Sequence, residues 1–519
     1  MNRNILRSIL AVAVVGYLAY GYFVRDNVSK PGSATRAVTA APIPAHATAF
    51  TLGMLQFKAC ELAQKKSGAT TAAFCAPFSV PENRDTSSSD QHSNRQIDLK
   101  LALIRSDAEA ADTDIVVYLA GGPGQAAIDT WPQIAGALAP LRKHHHILLL
   151  DQRGTGGSHP LSCDSSKDAD QDRFDLDAIR AHVRECLARV EKTADPRAYT
   201  TTNAVEDLEA VRQALGAPPF DLVGVSYGTR VVQQYAMHHP DAIRSVVLDS
   251  VAPNELALGE DFAVNLENAL KAQFVLCTQN PQCNKAFGDP YANLQKLRDT
   301  LRATPQDYDF RDPATFAPAH KRLNEHTLAG LVRLFAYTPE SAALLSLSIA
   351  EALKGNYAPL AGQNELLTGD LAELGDNGMQ TSVFCAEDAD LLVPRSQDAG
   401  SVLGTAMIDL LKAECEVWPH GSRPADFHAP LKTDKPVLIL EGELDPVTPP
   451  RYGEQVLKTL ANGRLLIAKG QGHNVIGRGC IPKLVEEFVH KLRPKTLDAT
   501  CLDRLGPTPA FIDFSGSSP

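Results

Sequence analysis

The stretch FDLVGVSYGTRVVQQYAMHHP, which runs from Phe220 to Pro240, changes character at its centre. It begins with an apolar, strand-like run and continues directly with a helical pattern, and the pentapeptide GVSYG at residues 224–228 lies at the junction. Gly-x-Ser-x-Gly between a buried strand and a helix is typical of a nucleophile elbow, where a strained turn exposes a serine hydroxyl above the sheet. This pattern identifies Ser226 as a candidate nucleophile.

Similar apolar runs recur on both sides of this stretch, with helical patterns between several of them. Short apolar runs are typical of strands buried on both faces, whereas IDLKLALIRS alternates like a half-exposed strand. Strands that alternate with helices predict an α/β fold, with a mostly parallel sheet covered by helices on both faces. The buried runs are DIVVYLAGG, HHILLLDQRG, FDLVGVSYG, IRSVVLDS, PVLILEGELD and GRLLIAKGQGH.

The series of strands is interrupted in the second half of the chain. No clear buried strand is evident between residues 254 and 435, where helical patterns such as FAVNLENALKAQFVLC dominate. We therefore predict a helical lid insertion at 254–435 between two parts of one core, at 49–253 and 436–505. A C-terminal tail at 506–519 follows the core.

The composition and net charge indicate a globular protein that does not bind nucleic acid. The chain has 519 residues, of which 44% are hydrophobic and 21% charged, and this is an ordinary globular composition with ample length for a large core. The formal net charge is -11 and no cluster of Lys and Arg is present. Nucleic-acid binding needs a basic patch, so a nucleic-acid partner is not expected.

The N-terminus predicts export. Arg3 and Arg7 precede an uncharged, mostly apolar run from Ser8 to Val24, and a linker rich in Pro, Ala and Thr follows. We assign residues 1–30 to a signal anchor or signal peptide and residues 31–48 to the linker. An uncleaved anchor, with the body of the chain outside the cytoplasm, is favoured over a cleaved signal. The expected location is a bacterial-type periplasm or the outer face of the inner membrane, or the medium if the segment is cleaved.

The cysteines support export independently. Their number is even, no Cys-x-x-Cys motif occurs, and they fall into couples that are close in sequence. Five disulfides in an oxidising compartment are the natural interpretation, each contributing roughly 2 to 4 kcal/mol. The predicted pairs are Cys60 with Cys75, Cys163 with Cys186, Cys277 with Cys283, Cys385 with Cys415, and Cys480 with Cys501.

A serine hydroxyl needs a base to take its proton and a third group to orient that base. In this type of sheet the expected chain order is Ser, then acid, then His. The strand PVLILEGELD ends in Asp445, and the loop after the next strand carries His473, so both partners arrive at successive strand ends. Asp249 and Glu443 are the competing acids.

An oxyanion that forms at the serine needs two hydrogen-bond donors. The backbone N–H of Tyr227, directly after the nucleophile, is one candidate. The glycine-rich loop in YLAGGPGQAA supplies the other, and we assign it to Gly122. This loop lacks the residues of a phosphate-binding or dinucleotide-binding motif. The histidines at 144–146, before a strand, and at 238–239, at the end of a helix, are interpreted as solvated residues or as residues that face a helix end. We predict no metal site and no cofactor.

The motifs AGGPGQAA, DQRGTGGS, GVSYGTR, LEGELDPVTPP and GQGHNV together resemble those of exported serine peptidases with the α/β-hydrolase fold, in the prolyl and tripeptidyl aminopeptidase family. The resemblance covers roughly Thr51 to Leu502, and the region after Asp445 is similar to the tripeptidyl-aminopeptidase-like C-terminal region. One departure is Ala120, where many prolyl aminopeptidases carry His. Within DQRGTGGS, Asp151 and Arg153 are interpreted as a structural ion pair.

The resemblance implies an aminopeptidase that releases short peptides or single residues from substrates with a free N-terminus. Such an enzyme needs a carboxylate that pairs with the substrate ammonium group under a lid. SVFCAEDAD offers Glu387 and Asp388, and Glu387 is the favoured amine anchor, while a solvated acidic loop is the alternative.

Two other functions remain open. The first is an exported carboxylesterase or small-amide hydrolase with the same three catalytic residues, because fold and triad do not determine the substrate. The second is a non-catalytic binding protein tethered to the membrane.

Overall fold

A computed structural model describes residues 47–63, 70–84, 95–108, 114–163, 175–312, 315–363 and 376–517. The predicted signal segment at residues 1–30 and the linker up to residue 46 lie outside these residues. Within the ranges described, no helix is both long enough and apolar enough to cross a membrane.

The described residues form one large sheet and two small ones. The large sheet has ten strands in the order β1-β2-β3-β4-β6-β5-β8-β9-β13-β14, and β10 pairs with β11 and β12 with β7 in the small sheets. In chain order, the strands are β1 Ala49–Leu52, β2 Leu55–Ala63, β3 Thr70–Pro81, β4 Gln96–Ile104, β5 Ile115–Leu119, β6 His146–Leu150, β7 Ser162–Cys163, β8 Phe220–Val225, β9 Ile243–Asp249, β10 Gln306–Arg311, β11 Pro318–Leu323, β12 Asp376–Asn377, β13 Val437–Gly442 and β14 Gly463–Ala468.

Helices cover the sheet and build most of the insertion. In chain order, they are α1 Ala127–Arg142, α2 Leu176–Val190, α3 Thr201–Leu215, α4 Tyr227–His238, α5 Phe262–Gln279, α6 Pro281–Phe287, α7 Pro290–Ala303, α8 Glu325–Phe335, α9 Pro339–Ala342, α10 Leu345–Leu353, α11 Gly378–Glu387, α12 Ala406–Cys415, α13 Pro450–Leu457 and α14 Ile481–Lys491.

The parallel part of the sheet confirms the predicted fold class. Strands β6, β5, β8, β9, β13 and β14 pair in parallel, and every residue of β5, β8 and β13 is buried. Apolar side chains on the two faces of these strands join two separate core clusters, one on each side of the sheet. Helices therefore cover both faces, as continuous apolar strands require.

The other part of the sheet is an antiparallel edge that sequence analysis found only in part. The predicted half-exposed strand is β4, but β1, β2 and β3 extend the sheet beyond it. The strand β3 has the sequence TTAAFCAPFSVP, in which Ala, Thr and Pro replace a continuous apolar run. Backbone hydrogen bonds and the disulfide Cys60–Cys75 hold β2 and β3 together. The hydrophobic pattern of these two strands is too weak to predict them from the sequence.

Residues 254–435, the predicted insertion, contain two differently packed parts. The first has its own apolar cluster, built from α5, α7, α8 and α10 with the small β10–β11 hairpin, which was not expected. In the second part, residues of α11 and α12 join the core cluster on one face of the main sheet.

The structure contains the five disulfides that the sequence predicts. Cys163–Cys186 lies in the first core region, Cys277–Cys283 joins α5 to α6, and Cys385–Cys415 joins α11 to α12. The remaining two are Cys60–Cys75 and Cys480–Cys501.

The interpretation of Asp151 and Arg153 as an ion pair is wrong. The Arg153 guanidinium instead binds the carboxylate of Asp207 at 2.7 Å. The Asp151 carboxylate accepts the backbone N–H groups of Ile128 and Gly157. Both side chains brace loops beside the sheet, but Arg153 does so with a partner 54 residues away, which sequence proximity does not reveal.

Candidate active site

Ser226 lies in a tight turn between β8 and α4. Its backbone has φ 55° and ψ −124°, a conformation that is strained for a residue with a side chain. The two glycines of the motif leave room for this turn. A Cβ atom on Gly228 would lie 2.2 Å from the carbonyl oxygen of Leu119, and one on Gly224 would lie 2.7 Å from the carbonyl oxygen of Gly228.

The side chains of Ser226, His473 and Asp445 form one hydrogen-bonded chain. Ser226 Oγ lies 3.0 Å from His473 Nε2, and His473 Nδ1 lies 2.7 Å from Asp445 Oδ2. Asp445 and His473 are buried, whereas Ser226 is half-buried. The serine is thus placed to lose its proton to the imidazole, and the carboxylate is placed to hold the imidazole in one orientation.

Two neighbouring residues fix the Asp445 carboxylate. Its Oδ1 accepts the backbone N–H groups of Val447 and Thr448, each at 2.8 Å. The Thr448 hydroxyl lies 3.1 Å from Oδ2 and 3.3 Å from His473 Nδ1. Sequence analysis did not assign a role to Thr448, although its position in the DPVT motif was a signal.

The end of β9 holds the loop that carries the histidine. The Asp249 carboxylate accepts the N–H groups of Val475 and Ile476, and Asp249 O accepts the N–H of Ser226 at 2.9 Å. Burial raises the pKa of Asp249 to about 6, although the two N–H groups oppose this shift. Asp249 therefore contacts both loops of the site but not the imidazole ring.

Glu443, the other competing acid, has a third role. Its carboxylate accepts the N–H of Gly470 at 2.7 Å, in the turn after β14. Of the three acids considered from sequence, Asp445 is the one that contacts the histidine ring.

The insertion also contacts the histidine. His473 N–H donates to the carbonyl oxygen of Tyr337 at 2.8 Å, and the two rings lie edge to face with centroids 5.2 Å apart. A Cβ atom on Gly472 would lie 2.3 Å from the same carbonyl oxygen, so glycine is required for this approach.

The two residues predicted as oxyanion donors both line a pocket at Ser226. Tyr227 is the first residue of α4, and the N–H groups of a first helical turn have no partner within the helix. Gly122 has φ 107°, and a Cβ atom on its neighbour Gly121 would lie 3.0 Å from Ser226 Cβ. The glycine-rich loop therefore approaches the serine closely.

The pocket has an apolar wall and some polar lining residues. Leu256, Leu258, Phe262, Phe384 and Val447 supply much of the wall. Its volume is about 30 Å³, which is space for about two water molecules.

Asp261, Asn265 and Tyr452 are among the polar residues that line the pocket. The Asp261 carboxylate binds Arg395 at 2.7 Å, Arg451 at 2.9 Å and the Tyr452 hydroxyl at 2.7 Å. Burial alone would raise the pKa of Asp261, but these hydrogen bonds hold the pKa below its ordinary value. Sequence analysis missed this carboxylate because no motif surrounds it.

The structure places Glu387 and Asp388 outside this pocket, in a fully buried network. Both Glu387 oxygens bind Thr201, at 2.6 Å to its backbone N and 2.8 Å to its hydroxyl. Asp388 binds Arg230 at 2.8 Å. Burial, and then the charge of Asp388, raise the pKa of Glu387 to about 8, and burial raises the pKa of Asp388.

Comparison with known proteins shows the fold family of the chain. The sequence profile of a family described as having the alpha/beta hydrolase fold matches residues 114–478. The serine protease Hip1 of Mycobacterium tuberculosis is 26% identical over 474 residues, covering 80% of this chain and 85% of that protein. The tripeptidyl aminopeptidase of Streptomyces lividans is 24% identical over 452 residues, covering 78% of this chain and 79% of that protein.

Among solved structures, the chain is similar to the proline iminopeptidase of Mycobacterium smegmatis. The identity is 16%, the TM-score is 0.36, and the match covers 80% of this chain and 98% of that one.

Proposed function

The chain belongs to the α/β-hydrolase fold family, and on that premise we propose that it is an exported serine peptidase acting on free N-termini. It releases short peptides or single residues, in the manner of a tripeptidyl or prolyl aminopeptidase. The observation that carries the proposal is the hydrogen-bonded chain Ser226–His473–Asp445 at a largely apolar pocket that Asp261 also lines. Two relatives carry peptidase names, the serine protease Hip1 at 26% identity and the tripeptidyl aminopeptidase at 24%, and these names support the same class.

The proposed mechanism is acyl transfer through an acyl-enzyme. Neutral His473 takes the proton of Ser226 as the hydroxyl attacks the scissile carbonyl, and the N–H groups of Tyr227 and Gly122 stabilise the oxyanion. The imidazolium then protonates the leaving amine. Water repeats both steps on the acyl-enzyme, with His473 again as base, while Asp445 keeps the imidazole in the required tautomer.

Recognition of the substrate amine is assigned to Asp261 in place of Glu387 and Asp388. An ammonium group needs a carboxylate that faces the pocket, and Asp261 meets this requirement. Arg451, whose side chain is 43% exposed, shares the Asp261 carboxylate and can move aside. The apolar wall accommodates the side chains of the released residues.

The disulfides and the N-terminal sequence support export. Disulfides persist in oxidising compartments, and five are present. We propose a periplasmic location, with the apolar N-terminal segment as a membrane anchor.

The test compares four substrates of the purified chain, with Ser226→Ala as the control. They are a fluorogenic tripeptide amide, the same amide with an acetylated N-terminus, a single-proline amide and a nitrophenyl ester. We expect the free-amine tripeptide to be preferred, and acetylation or Ser226→Ala to abolish its cleavage. Labelling by a fluorophosphonate probe should also require Ser226.

Other results would assign a different function. Ester turnover without amide cleavage identifies an esterase. An unlabelled Ser226 without turnover of any of the four substrates identifies a binding protein.

A further inference from the structure

Helix α11 contacts the nucleophile helix α4 through two buried carboxylates. Glu387, at the end of α11, binds the hydroxyl of Thr201, and that hydroxyl lies 2.6 Å from the Tyr227 hydroxyl. Asp388 binds Arg230, which stands one turn after Tyr227 on α4. Glu387, the last residue of α11, and Asp388, which directly follows the helix, therefore reach two successive turns of the helix that follows Ser226.

The contact from Glu387 through Thr201 ends at Tyr227, the residue next to the proposed nucleophile Ser226. Tyr227 directly follows Ser226, lines the pocket and supplies the proposed oxyanion donor from its backbone. Its side chain is buried and is held at the hydroxyl by Thr201, the first residue of α3. Glu387 in turn fixes Thr201 through both the backbone N–H and the hydroxyl. The position of Tyr227 thus depends on a carboxyl group from the insertion.

We propose that Glu387 is a positioning residue, which acts through Thr201 to hold Tyr227 and its backbone N–H at the oxyanion. The inference rests on the proposed function only in that Ser226 must be the nucleophile. It does not depend on which acyl group the enzyme transfers. Phe384, one turn earlier on α11, lines the pocket, so the same helix connects the substrate site with the oxyanion donor.

The contacts of Glu387 fix the donors in this network. The Thr201 N–H donates to one Glu387 oxygen and the Thr201 hydroxyl donates to the other, so the Tyr227 hydroxyl donates to Thr201. Ionisation of Glu387 places a second buried negative charge next to Asp388, which disfavours the charged form. The titratable and charged groups that face Glu387 are Asp388 directly after α11, Tyr227 and Arg230 on α4, and Arg423 and His428 after α12.

The experiment compares Glu387→Gln with Glu387→Ala. A glutamine amide is uncharged like the neutral acid; its oxygen can accept the Thr201 N–H and its NH2 group, which has two donors, can donate to the Thr201 hydroxyl, so we expect Glu387→Gln to retain kcat within about twofold. Glu387→Ala removes both contacts and should lower kcat by about ten- to a hundredfold, with little change in KM. The rate of fluorophosphonate labelling of Ser226 should fall in parallel. The control is Glu416, which is 56% exposed and binds Arg180; Glu416→Ala should leave both rates unchanged.

The pH profile separates positioning from a merely structural role. The kcat of the wild type should decline above about pH 8, where Glu387 ionises. Glu387→Gln cannot ionise, and its kcat should stay level through the same range. Removal of the hydroxyl in Thr201→Val or Tyr227→Phe should reproduce part of the loss seen in Glu387→Ala, and these variants replace Glu387→Ala if it does not fold.

Three results would overturn the inference. They are an unchanged kcat in Glu387→Ala and Thr201→Val, an alkaline decline in Glu387→Gln equal to that of the wild type, or loss of the preference for free over acetylated N-termini in Glu387→Gln. The last result would make Glu387 the amine anchor. If the wild type prefers no free-amine peptide but Glu387→Ala still slows labelling of Ser226, the exopeptidase proposal fails and the positioning role stands.

Discussion

Buried carboxylates lie close to Ser226 in two regions of the molecule, and the two regions use them differently. At the carboxyl edge of the parallel strands, Asp445 contacts the histidine ring directly at 2.7 Å. At the C-terminal end of helix α11 in the insertion, Glu387 connects with the nucleophile helix through Thr201, and the next residue, Asp388, binds Arg230 of that helix. The residues at the strand edge place the proposed catalytic side chains. The end of the insertion helix holds Tyr227, whose backbone N–H is the proposed oxyanion donor.

The difference has a physical origin. Parallel strands end at one edge of the sheet, so a residue directly after a strand reaches its neighbours through a short loop. A carboxylate on an insertion helix has no such constraint, and burial decides its role. Without solvent, each carboxylate must find a hydrogen-bond donor or a cation, and the donors available to α11 belong to α3 and α4.

Substitution of Asp445 by Asn should have the largest effect. An amide cannot hold the imidazole in the tautomer that accepts the Ser226 proton, so we expect kcat to fall about 10⁴-fold with little change in the thermal midpoint. Steady-state kinetics on the preferred substrate measure this effect.

Asp249→Asn is the matched control, because Asp249 lies at the end of β9 and contacts the backbone after His473 but not its ring. Its loss in kcat should be far smaller. Equal losses in the two variants would refute the assignment of Asp445 as the acid.

Removal of the disulfide Cys385–Cys415 should show how much this cross-link contributes to the stability of the fold. It closes a loop with a sequence separation of 30 residues, whereas Cys277–Cys283 closes one of 6. Replacement of both cysteines by Ser should lower the free energy of unfolding by roughly 3 to 4 kcal/mol for the first pair and by roughly 2 kcal/mol for the second. Denaturant titrations of the two double variants measure the difference, and a larger loss for the short loop would contradict this order.

The pKa of Asp249 predicts how stability depends on pH. The pKa is raised from 3.8 to about 6 by burial, so between about pH 4 and 6 the folded protein holds a proton that the unfolded chain has released. This contribution to stability is complete below about pH 4 and is lost as the pH rises to about 6, with a total of about 3 kcal/mol.

Asp249→Asn removes this dependence. The difference in free energy of unfolding between wild type and variant should therefore fall from pH 4 to 6 and stay level above. The exposed Asp503 serves as control, since Asp503→Asn should leave the slope unchanged. A difference that is constant from pH 4 to 7 would show that Asp249 is ionised throughout.

The sequence predicts the strand edge far better than the insertion. Each predicted buried run became a strand of the parallel part of the sheet, because a continuous apolar run has few alternatives to a doubly covered strand. Ser226, Asp445 and His473 follow such strands, and this fixes their edge of the sheet. By contrast, Glu387 and Asp261 differ in whether they face the pocket, and that depends on helix packing over more than a hundred residues.

Thr448 provides the smallest and most specific test of the strand edge. Its backbone N–H binds one oxygen of Asp445, and its hydroxyl lies within reach of the other oxygen and of His473 Nδ1. Thr448→Val keeps the shape and the backbone bond but removes the hydroxyl, so Asp445 keeps two of its three local donors. We expect kcat to fall about tenfold, which corresponds to the loss of one hydrogen bond to a charged group. Thr448→Ser restores the hydroxyl and should restore most of kcat, whereas equal activity of the Val and Ser variants would show that the backbone N–H groups alone orient Asp445.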